Sequence, residues 1–258
     1  MGGHYLAAAQ GDSQTLDTAG SIWTTVMSFI FDGSGDNING AFTTTRAQPV
    51  TLACWFKGAH PAAIDCYLAL GNNAATDTDT LYLRTAAVAN QYNAVSRGSA
   101  AGVEIASEIQ SVGTAWTSLV GRFTSNTSRE VFVNGITFTD LNVNSMVVAG
   151  VLKYIFSGTS PAGLNDATVR IAELAIWDVA LSDADVTSYL GGTAASGINV
   201  SHLIGYWPLS TNSLTNLGTD AGGGLTATGN AVFDADHPPI TSGIVIPVLM
   251  NQYRQRRD

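Results

Sequence analysis

The apolar residues of this chain recur in short runs that are separated by polar, glycine-containing segments. Within many runs apolar and polar side chains alternate, which is typical of β-strands rather than amphipathic helices. The pattern predicts strands at residues 28–31, 50–56, 66–70, 81–84, 116–123, 129–133, 136–138, 152–156, 169–177 and 203–209, with 21–26 and 243–249 as further candidates. Roughly ten short strands at a spacing of about ten residues predict an antiparallel sandwich.

Turn and cap residues refine this prediction. Asn134-Gly135 lies between two apolar runs, and a type I′ hairpin turn requires positive φ at both central positions, which this pair tolerates well. One helix is predicted after Ser182, because Asp183 and Asp185 favour its positive N-terminal end and Gly191-Gly192 follow its last apolar residues. The sequence therefore predicts an all-β domain with one short helix.

The composition and charge narrow the function. Only 12% of the residues are charged and the net charge is −9, so the surface repels nucleic acid and a DNA- or RNA-binding role is not expected. The first ten residues lack the features of a secretory signal, and no apolar run is long enough to span a membrane. Two cysteines do not make a disulfide scaffold, so Cys54 and Cys66 are expected to be free thiols.

Both ends of the chain differ from its middle. Residues 1–26 form a leader rich in glycine, alanine and threonine, and residues 237–258 begin with a proline pair at 238–239, so both are predicted to be extended arms outside a 27–236 domain. The second arm is apolar enough to add to a neighbouring sheet, and its basic end could meet an acidic partner or simply be solvated. Its expected assembly residues are Ile244, Val245, Ile246, Val248, Leu249, Arg254, Arg256 and Arg257.

Three segments, taken in order, resemble a known family. They are residues 29–36 (FIFDGSGD) with 50–56 (VTLACWF), residues 116–135 with their Val-Asn-Gly hairpin, and residues 171–183 (IAELAIWDVALSD) followed by 206–209 (YWPL). Together they resemble the laminin-G/pentraxin-like domains of the concanavalin A-like superfamily. The resemblance implies a two-sheet antiparallel jelly-roll sandwich, and Trp55, Trp177 and Trp207 are expected to fill the space between its sheets.

Catalysis is not expected, and no catalytic residue is assigned. Some sandwiches of this superfamily are glycosidases, which need two carboxylates about 5–10 Å apart across the sugar. No Glu-x-Asp-x-Glu run is present, Glu104 and Glu108 lie four residues apart with no acid between them, and Glu130 is isolated. Glu173 is expected to point outward or to accept a hydrogen bond at a strand end. A hydrolase remains a third, weaker hypothesis.

Calcium is the one cofactor that the resemblance makes a candidate. Related domains hold the ion with Asp and Asn side chains and loop carbonyls at the rim of the sandwich, which suits a hard cation. The candidate ligands are Asp32 and Asp36 in the first turn and Asp77 and Asp79 in the loop after the third strand. The alternative is structural, because Asp in a turn usually caps its own backbone.

Glycan binding is a second candidate chemistry. Sugar sites combine an exposed aromatic platform with hydrogen-bonding side chains, and Tyr82, Tyr92 and Asn93 lie close together in sequence beside loops. The alternative is that these tyrosines close an edge of the sandwich.

The leading hypothesis is a non-enzymatic virion structural protein. It would decorate a capsid or form part of a tail or fibre, with its arms contacting other virion proteins or copies of itself in a homo-oligomer, and glycan binding as an additional role. The alternative is a secreted or cell-surface calcium-dependent lectin that binds cell-surface glycans. Neither hypothesis involves nucleic acid or a membrane.

Overall fold

A computed structural model describes residues 27–59, 64–98, 103–109, 113–140, 151–163, 166–209 and 213–241. These residues form two antiparallel sheets packed face to face with one short α-helix, so the prediction of an all-β sandwich is confirmed. No helix in the described part of the chain is long and apolar enough to cross a membrane.

The first sheet has eight strands, in the order β10-β9-β8-β3-β12-β1-β15, and β13 also pairs with β12. Their bounds are β1 Ser28–Asp32, β3 Val50–Lys57, β8 Thr117–Ser125, β9 Ser128–Val133, β10 Ile136–Asp140, β12 Thr168–Trp177, β13 Leu203–Trp207 and β15 Val232–Asp234.

The second sheet has seven strands, in the order β14-β2-β11-β4-β5-β6-β7. Their bounds are β2 Asn37–Arg46, β4 Cys66–Gly71, β5 Thr80–Thr85, β6 Gln91–Arg97, β7 Val103–Ile109, β11 Leu152–Ser157 and β14 Thr226–Thr228.

The hydrophobic pattern did not predict β2, β6, β7, β14 or β15. Strand β2 is rich in Asn and Thr, and only Ile38 and Phe42 of its ten residues are buried, so its sequence resembles a loop. It is a strand because β11 and β14 supply its backbone hydrogen-bond partners on both sides. Tertiary pairing here outweighs local composition.

The main core lies between the two sheets. Phe56 of β3 reaches across it, with its ring centroid 4.7 Å from that of Tyr67 and 5.2 Å from that of Tyr92, both on the second sheet. Trp207 also lies in this core and donates from Nε1 to the Gly223 carbonyl. Cys54 is buried in the same core and is a free thiol, as is the buried Cys66, which confirms that prediction.

A second apolar cluster lies on the opposite, outer face of the first sheet. Trp55 and Trp177 belong to it, so the prediction that they fill the space between the sheets is wrong. Successive side chains of a strand point to opposite faces, and Cys54 and Phe56 already face the inter-sheet core, which leaves Trp55 on the other side. Of the three predicted tryptophans, Trp207 alone packs between the sheets.

The predicted helix covers this outer cluster. Helix α1 spans Asp183–Leu190, and the Ser182 hydroxyl accepts a 3.2 Å hydrogen bond from the Asp185 amide, which confirms the predicted cap. Tyr189 is buried beneath the helix, and its ring packs edge-on against Trp177 with centroids 6.0 Å apart. Gly191 and Gly192 end the helix, and Gly192 has a φ of +92° that suits glycine.

The described chain continues to contact the sandwich beyond Asp236. Asp236 accepts hydrogen bonds from Lys57 at 2.7 Å and from Trp116 Nε1 at 3.0 Å. Five residues later, the Thr241 amide donates a 2.8 Å hydrogen bond to the Gly192 carbonyl. We call residues 236–241 the strap. The predicted N-terminal arm, residues 1–26, and the assembly residues 244–257 lie outside the described part of the chain.

Candidate functional site

The two carboxylates predicted in the first turn bind backbone and side-chain donors of the protein itself. Asp36 accepts hydrogen bonds from the Asp32 amide at 3.1 Å and from the Asn230 amide at 2.7 Å. Asp32 accepts from the Ser34 amide at 2.9 Å and from Asn230 Nδ2 at 3.0 Å. These bonds connect the first turn to the turn before β15. The two carboxylates therefore have the structural role that was the alternative to calcium binding.

The second predicted pair is also engaged. Asp77 accepts from the Ala162 amide at 3.0 Å and pairs with Arg97 at 3.4 Å, which joins two loops beside the second sheet. Asp79, at a φ of +48°, accepts a 2.8 Å hydrogen bond from Asn72 Nδ2. The two carboxylates therefore hold the loop together on either side of Thr78.

The structure does not gather the predicted calcium ligands into a cluster of acidic side chains in the described part of the chain. Calcium takes about six to eight oxygen ligands. In the part of the chain that the structure describes, no three His, Cys, Asp or Glu side chains lie close enough together to hold a metal ion. The predicted carboxylates already accept amide or guanidinium hydrogen bonds, so we assign no calcium chemistry to them.

The residues predicted to bind glycans lie on neighbouring strands of the second sheet, but they are buried, and Tyr82 and Tyr92 face opposite sides of that sheet. Tyr82, Tyr92 and Asn93 are 3%, 0% and 3% exposed. The Tyr82 hydroxyl donates to the Asp77 carbonyl at 3.2 Å, and the Tyr92 ring packs against Phe56 in the inter-sheet core. Neither ring offers an open platform for a sugar, and their positions match the structural alternative, in which tyrosines complete the packing of the sandwich.

An open cavity lies elsewhere, on the outer face of the first sheet. One wall is the β8-β9-β10 hairpin region with its Asn134-Gly135 turn, and the other is helix α1. We call this cavity the helix groove. Its volume is about 440 Å³, and it is lined by Arg122, Glu130, Phe132, Asn134, Gly135, Thr137, Asp183, Thr187, Leu190 and Gly191.

Arg122 connects the two walls of the helix groove. Its guanidinium pairs with Glu130 on β9 and with Asp183 at the start of α1, the latter at 2.8 Å, and it also donates to the Leu181 carbonyl at 2.7 Å. Its Cζ lies 5.2 Å from the centroid of the Phe132 ring. Burial lowers the pKa of Arg122, but its hydrogen bonds to Glu130 and Asp183 outweigh this and leave the pKa above its ordinary value.

The other polar groups of the helix groove come from turn and helix residues. Asn134, at a φ of +47°, accepts a hydrogen bond from the Ser118 amide at 3.1 Å, which fixes its side chain at the end of the hairpin. Thr137 and Thr187 are exposed on opposite walls. The groove thus combines guanidinium, carboxylate, amide and hydroxyl groups with the edge of an aromatic ring, a set suited to a ligand rich in hydroxyl groups.

A buried acid lies in the cluster that supports the helix. Glu173 is 2% exposed, so the prediction that it points outward is wrong. It does accept a hydrogen bond, as the alternative predicted, but within β12 rather than at a strand end. Its Oε2 accepts a 2.8 Å hydrogen bond from the Tyr206 hydroxyl. Burial raises its pKa to about 7, and the hydrogen bond from Tyr206 opposes the shift.

The sequence predicted the hairpin and the helix that form the helix groove, but not that the two elements lie next to each other. The Asn-Gly hairpin and the capped helix were both predicted, but they lie about fifty residues apart in the chain. Their meeting depends on the order β8-β3-β12 in the first sheet and on the packing of Tyr189. Arg122 and Glu130 occupy paired positions on β8 and β9, which was the available signal.

The sequence and the fold were compared with known proteins. The family model of the concanavalin A-like lectin/glucanases superfamily matches residues 32–187, more than half of the chain. No curated protein sequence matches the chain.

Several solved structures share the fold at low sequence identity. A Bacteroides ovatus protein described as a candidate carbohydrate-binding protein has a TM-score of 0.58 at 12% identity, over 85% of this chain and 62% of that one. A heptameric SAP-like pentraxin from Limulus polyphemus has a TM-score of 0.55 at 12% identity, over 84% of this chain and 98% of that one. The NanB sialidase of Streptococcus pneumoniae has a TM-score of 0.49 at 17% identity, over 63% of this chain, which spans only 27% of the sialidase.

Proposed function

Because the chain belongs to the concanavalin A-like lectin/glucanases superfamily, we propose that it is a non-catalytic protein that binds glycans in the helix groove. The observation that supports this proposal is the groove itself. Its volume of about 440 Å³ falls within the range of roughly 300–1,000 Å³ that is usual for ligand sites. Its lining combines these polar groups with the half-buried Leu190 and with Phe132, which is 5% exposed and forms the base of the groove rather than an open platform.

The arrangement of charges favours binding over hydrolysis. A glycosidase uses one carboxylic acid with a raised pKa and one free carboxylate on either side of the scissile bond. In the helix groove, Glu130 and Asp183 both pair with the single guanidinium of Arg122. Such shared pairing suits carboxylates that orient a neighbouring cation and accept hydrogen bonds from sugar hydroxyl groups.

A groove-blocking variant tests this proposal. Thr187→Trp places a large side chain inside the helix groove, whereas Ser188→Trp places the same side chain at the next exposed position of α1, outside the lining. Titration calorimetry against a panel of neutral and acidic oligosaccharides is expected to show binding by the wild type and by Ser188→Trp, and loss of that binding in Thr187→Trp. Binding that survives in Thr187→Trp would place the site elsewhere, and absence of any binding would refute the glycan-binding role.

We further propose a virion structural role as a second candidate, with the protein located in the virion. The observation that favours it is the strap, which leads the chain over the outer face of the sandwich as far as Thr241. The apolar and basic residues 244–257 follow at once, and such a segment suits pairing with a capsid, tail or fibre protein or with another copy of this chain. The extracellular lectin is the alternative location.

Truncation tests the structural role. Removal of residues 243–258 is expected to leave the sandwich folded, with an unchanged far-ultraviolet circular dichroism spectrum, and to abolish incorporation into particles. Unchanged assembly of the truncated chain would contradict this role while leaving glycan binding intact.

A further inference from the structure

Glu173 occupies an unusual position in the first sheet. It lies in β12 at a bulge, where the pairing with β3 shifts between Ala172 and Ala175, and its φ is +53°. A non-glycine residue at positive φ carries backbone strain, which the surrounding structure must hold in place. The bulge brings the Glu173 carboxyl within hydrogen-bonding reach of Tyr206 in the apolar layer beneath α1.

Two tyrosine hydroxyls bind Glu173 from different elements. Tyr206 of β13 donates to the carboxyl group, and Tyr189 of α1 donates a 2.6 Å hydrogen bond to the Glu173 backbone carbonyl. Tyr189 is fully buried, and it lies between the groove-lining residues Thr187 and Leu190 in the helix sequence. Glu173 therefore contacts the buried side of α1 through its backbone carbonyl, and its side chain is the buried carboxyl group.

Among the described residues, none supplies a positive charge that acts on Glu173. Tyr206 of β13 acts on Glu173 directly, Tyr189 of α1 lies in the same cluster, and Cys54 of β3 acts on Tyr189 from the inter-sheet side. Burial raises the pKa of each of these three groups well above neutral, so all are uncharged at pH 7. The apolar and aromatic side chains of the outer cluster surround these groups, and Ser196 hydrogen-bonds to Tyr206. Trp55 adds a buried Nε1 that has no hydrogen-bond partner in the described structure.

We propose that Glu173 is a positioning residue for the helix wall of the groove, and that glycan binding is therefore linked to its protonation. This inference rests on the proposed function of the helix groove. The neutral acid is compatible with the apolar layer, so Tyr189 keeps α1 packed against the first sheet. The ionised form leaves a buried charge with a single hydrogen-bond donor, which weakens the packing of α1 and displaces Asp183, Thr187 and Leu190 from their positions in the groove.

The sign of the pH dependence follows from the direction of the pKa shift. Burial raises the pKa of Glu173 from its ordinary value of 4.5 to about 7 in the folded protein. Protonation therefore accompanies the well-packed state, and the ordered groove is favoured at lower pH. Affinity should fall as the pH rises through 7 and should be about tenfold weaker one pH unit above that value.

The experiment measures the dissociation constant of one groove-binding oligosaccharide between pH 5.5 and 8.5. The wild type is expected to lose about tenfold in affinity between pH 6 and pH 8, whereas Glu173→Gln is expected to keep its pH 6 affinity throughout. Histidines commonly titrate in this range, so His202→Gln and His237→Gln serve as controls that should retain the wild-type profile. A flat wild-type profile, or an unchanged slope in Glu173→Gln, would overturn the inference.

A second variant keeps the test informative if Glu173→Gln folds poorly. Tyr206→Phe removes the hydrogen bond that opposes the pKa shift, so the midpoint of the affinity profile should move to higher pH. A midpoint that stays in place or moves downward would contradict the inference. Binding that is absent at every pH would instead refute the proposed function, and binding that is equal at every pH would leave the proposed function standing without the proton linkage.

Discussion

The two faces of the first sheet are built from the same strands but perform different tasks. The inter-sheet face presents Cys54 and Phe56 to a core of aliphatic and aromatic side chains. The helix-side face presents Trp55, Tyr206 and Glu173 to a thinner layer that combines aromatic rings with hydroxyl and carboxyl groups. One face holds the sandwich together, and the other supports a helix and a groove. Because successive side chains of a strand point to opposite faces, one strand contributes alternate residues to the stability of the core and to the chemistry of the outer face.

The largest expected effect comes from opening the inter-sheet core. Phe56→Ala removes a ring that spans the two sheets, and truncation of a buried Phe typically costs about 3–5 kcal/mol. Urea denaturation should show this loss of unfolding free energy, while glycan affinity of the folded fraction stays close to that of the wild type. Loss of affinity in proportion to stability would show that the two faces are not separate.

A smaller effect, of opposite sign, is expected on the helix-side face. The folded-state pKa of Glu173 lies above its ordinary value of 4.5, so its contribution to stability is fully present below pH 4.5 and is lost as the pH rises through about 7. Glu173→Gln removes this loss and should stabilise the protein at pH 8 by on the order of 3 kcal/mol, with little effect at pH 4. Denaturation curves at both pH values measure the change. A Gln variant that is less stable at pH 8 would contradict the prediction.

The helix cap should contribute less. Ser182→Ala removes the hydroxyl that accepts from the Asp185 amide, and loss of such a cap costs about 1 kcal/mol. The melting temperature should fall slightly, and Ser182→Asp, which retains an acceptor, should restore it. Equal stability of the Ala and Asp variants would show that the cap does not matter for this helix.

The smallest expected effect on stability is at the rim of the helix groove. Asp183 pairs with Arg122 but is 86% exposed, and an exposed ion pair contributes only about 0–1 kcal/mol. Asp183→Asn should leave the melting temperature nearly unchanged and should still weaken glycan binding, because one wall of the groove loses an acceptor. A large drop in stability with unchanged binding would contradict the prediction that this residue serves ligand binding rather than stability.

The general fold could be predicted because it depends on local patterns. The alternating strands, the Asn-Gly hairpin at residue 134 and the capped helix after Ser182 are each encoded within a few residues. Strand β2 escaped prediction because its polar sequence becomes a strand only through its neighbours β11 and β14. The face on which Trp55 lies follows from alternation once its neighbours Cys54 and Phe56 are known to face the inter-sheet core.

The candidate site was less predictable, because burial and proximity decide it. Tyr82 and Asn93 are residue types that are common in sugar sites, but both are buried, because the second sheet has buried side chains on its outer face as well as on its inner face. Asp32 and Asp36 have the composition of a calcium site, but the turn before β15 supplies the donors that bind them. Residue type identified the available chemistry in both cases, and long-range packing determined its use.

The strap gives the sandwich a mechanical property. Thr241 binds the Gly192 carbonyl through both its amide and its hydroxyl, at 2.8 Å and 3.1 Å, directly after the last turn of α1. A pulling force applied to the chain beyond Thr241 therefore acts first on the hydrogen bonds between Thr241 and Gly192. Only after these break does it act on the hydrogen bonds that Lys57 and Trp116 make to Asp236. Tension enters the domain beside the helix wall of the groove, so a partner bound to this segment would also exert force on the proposed glycan site.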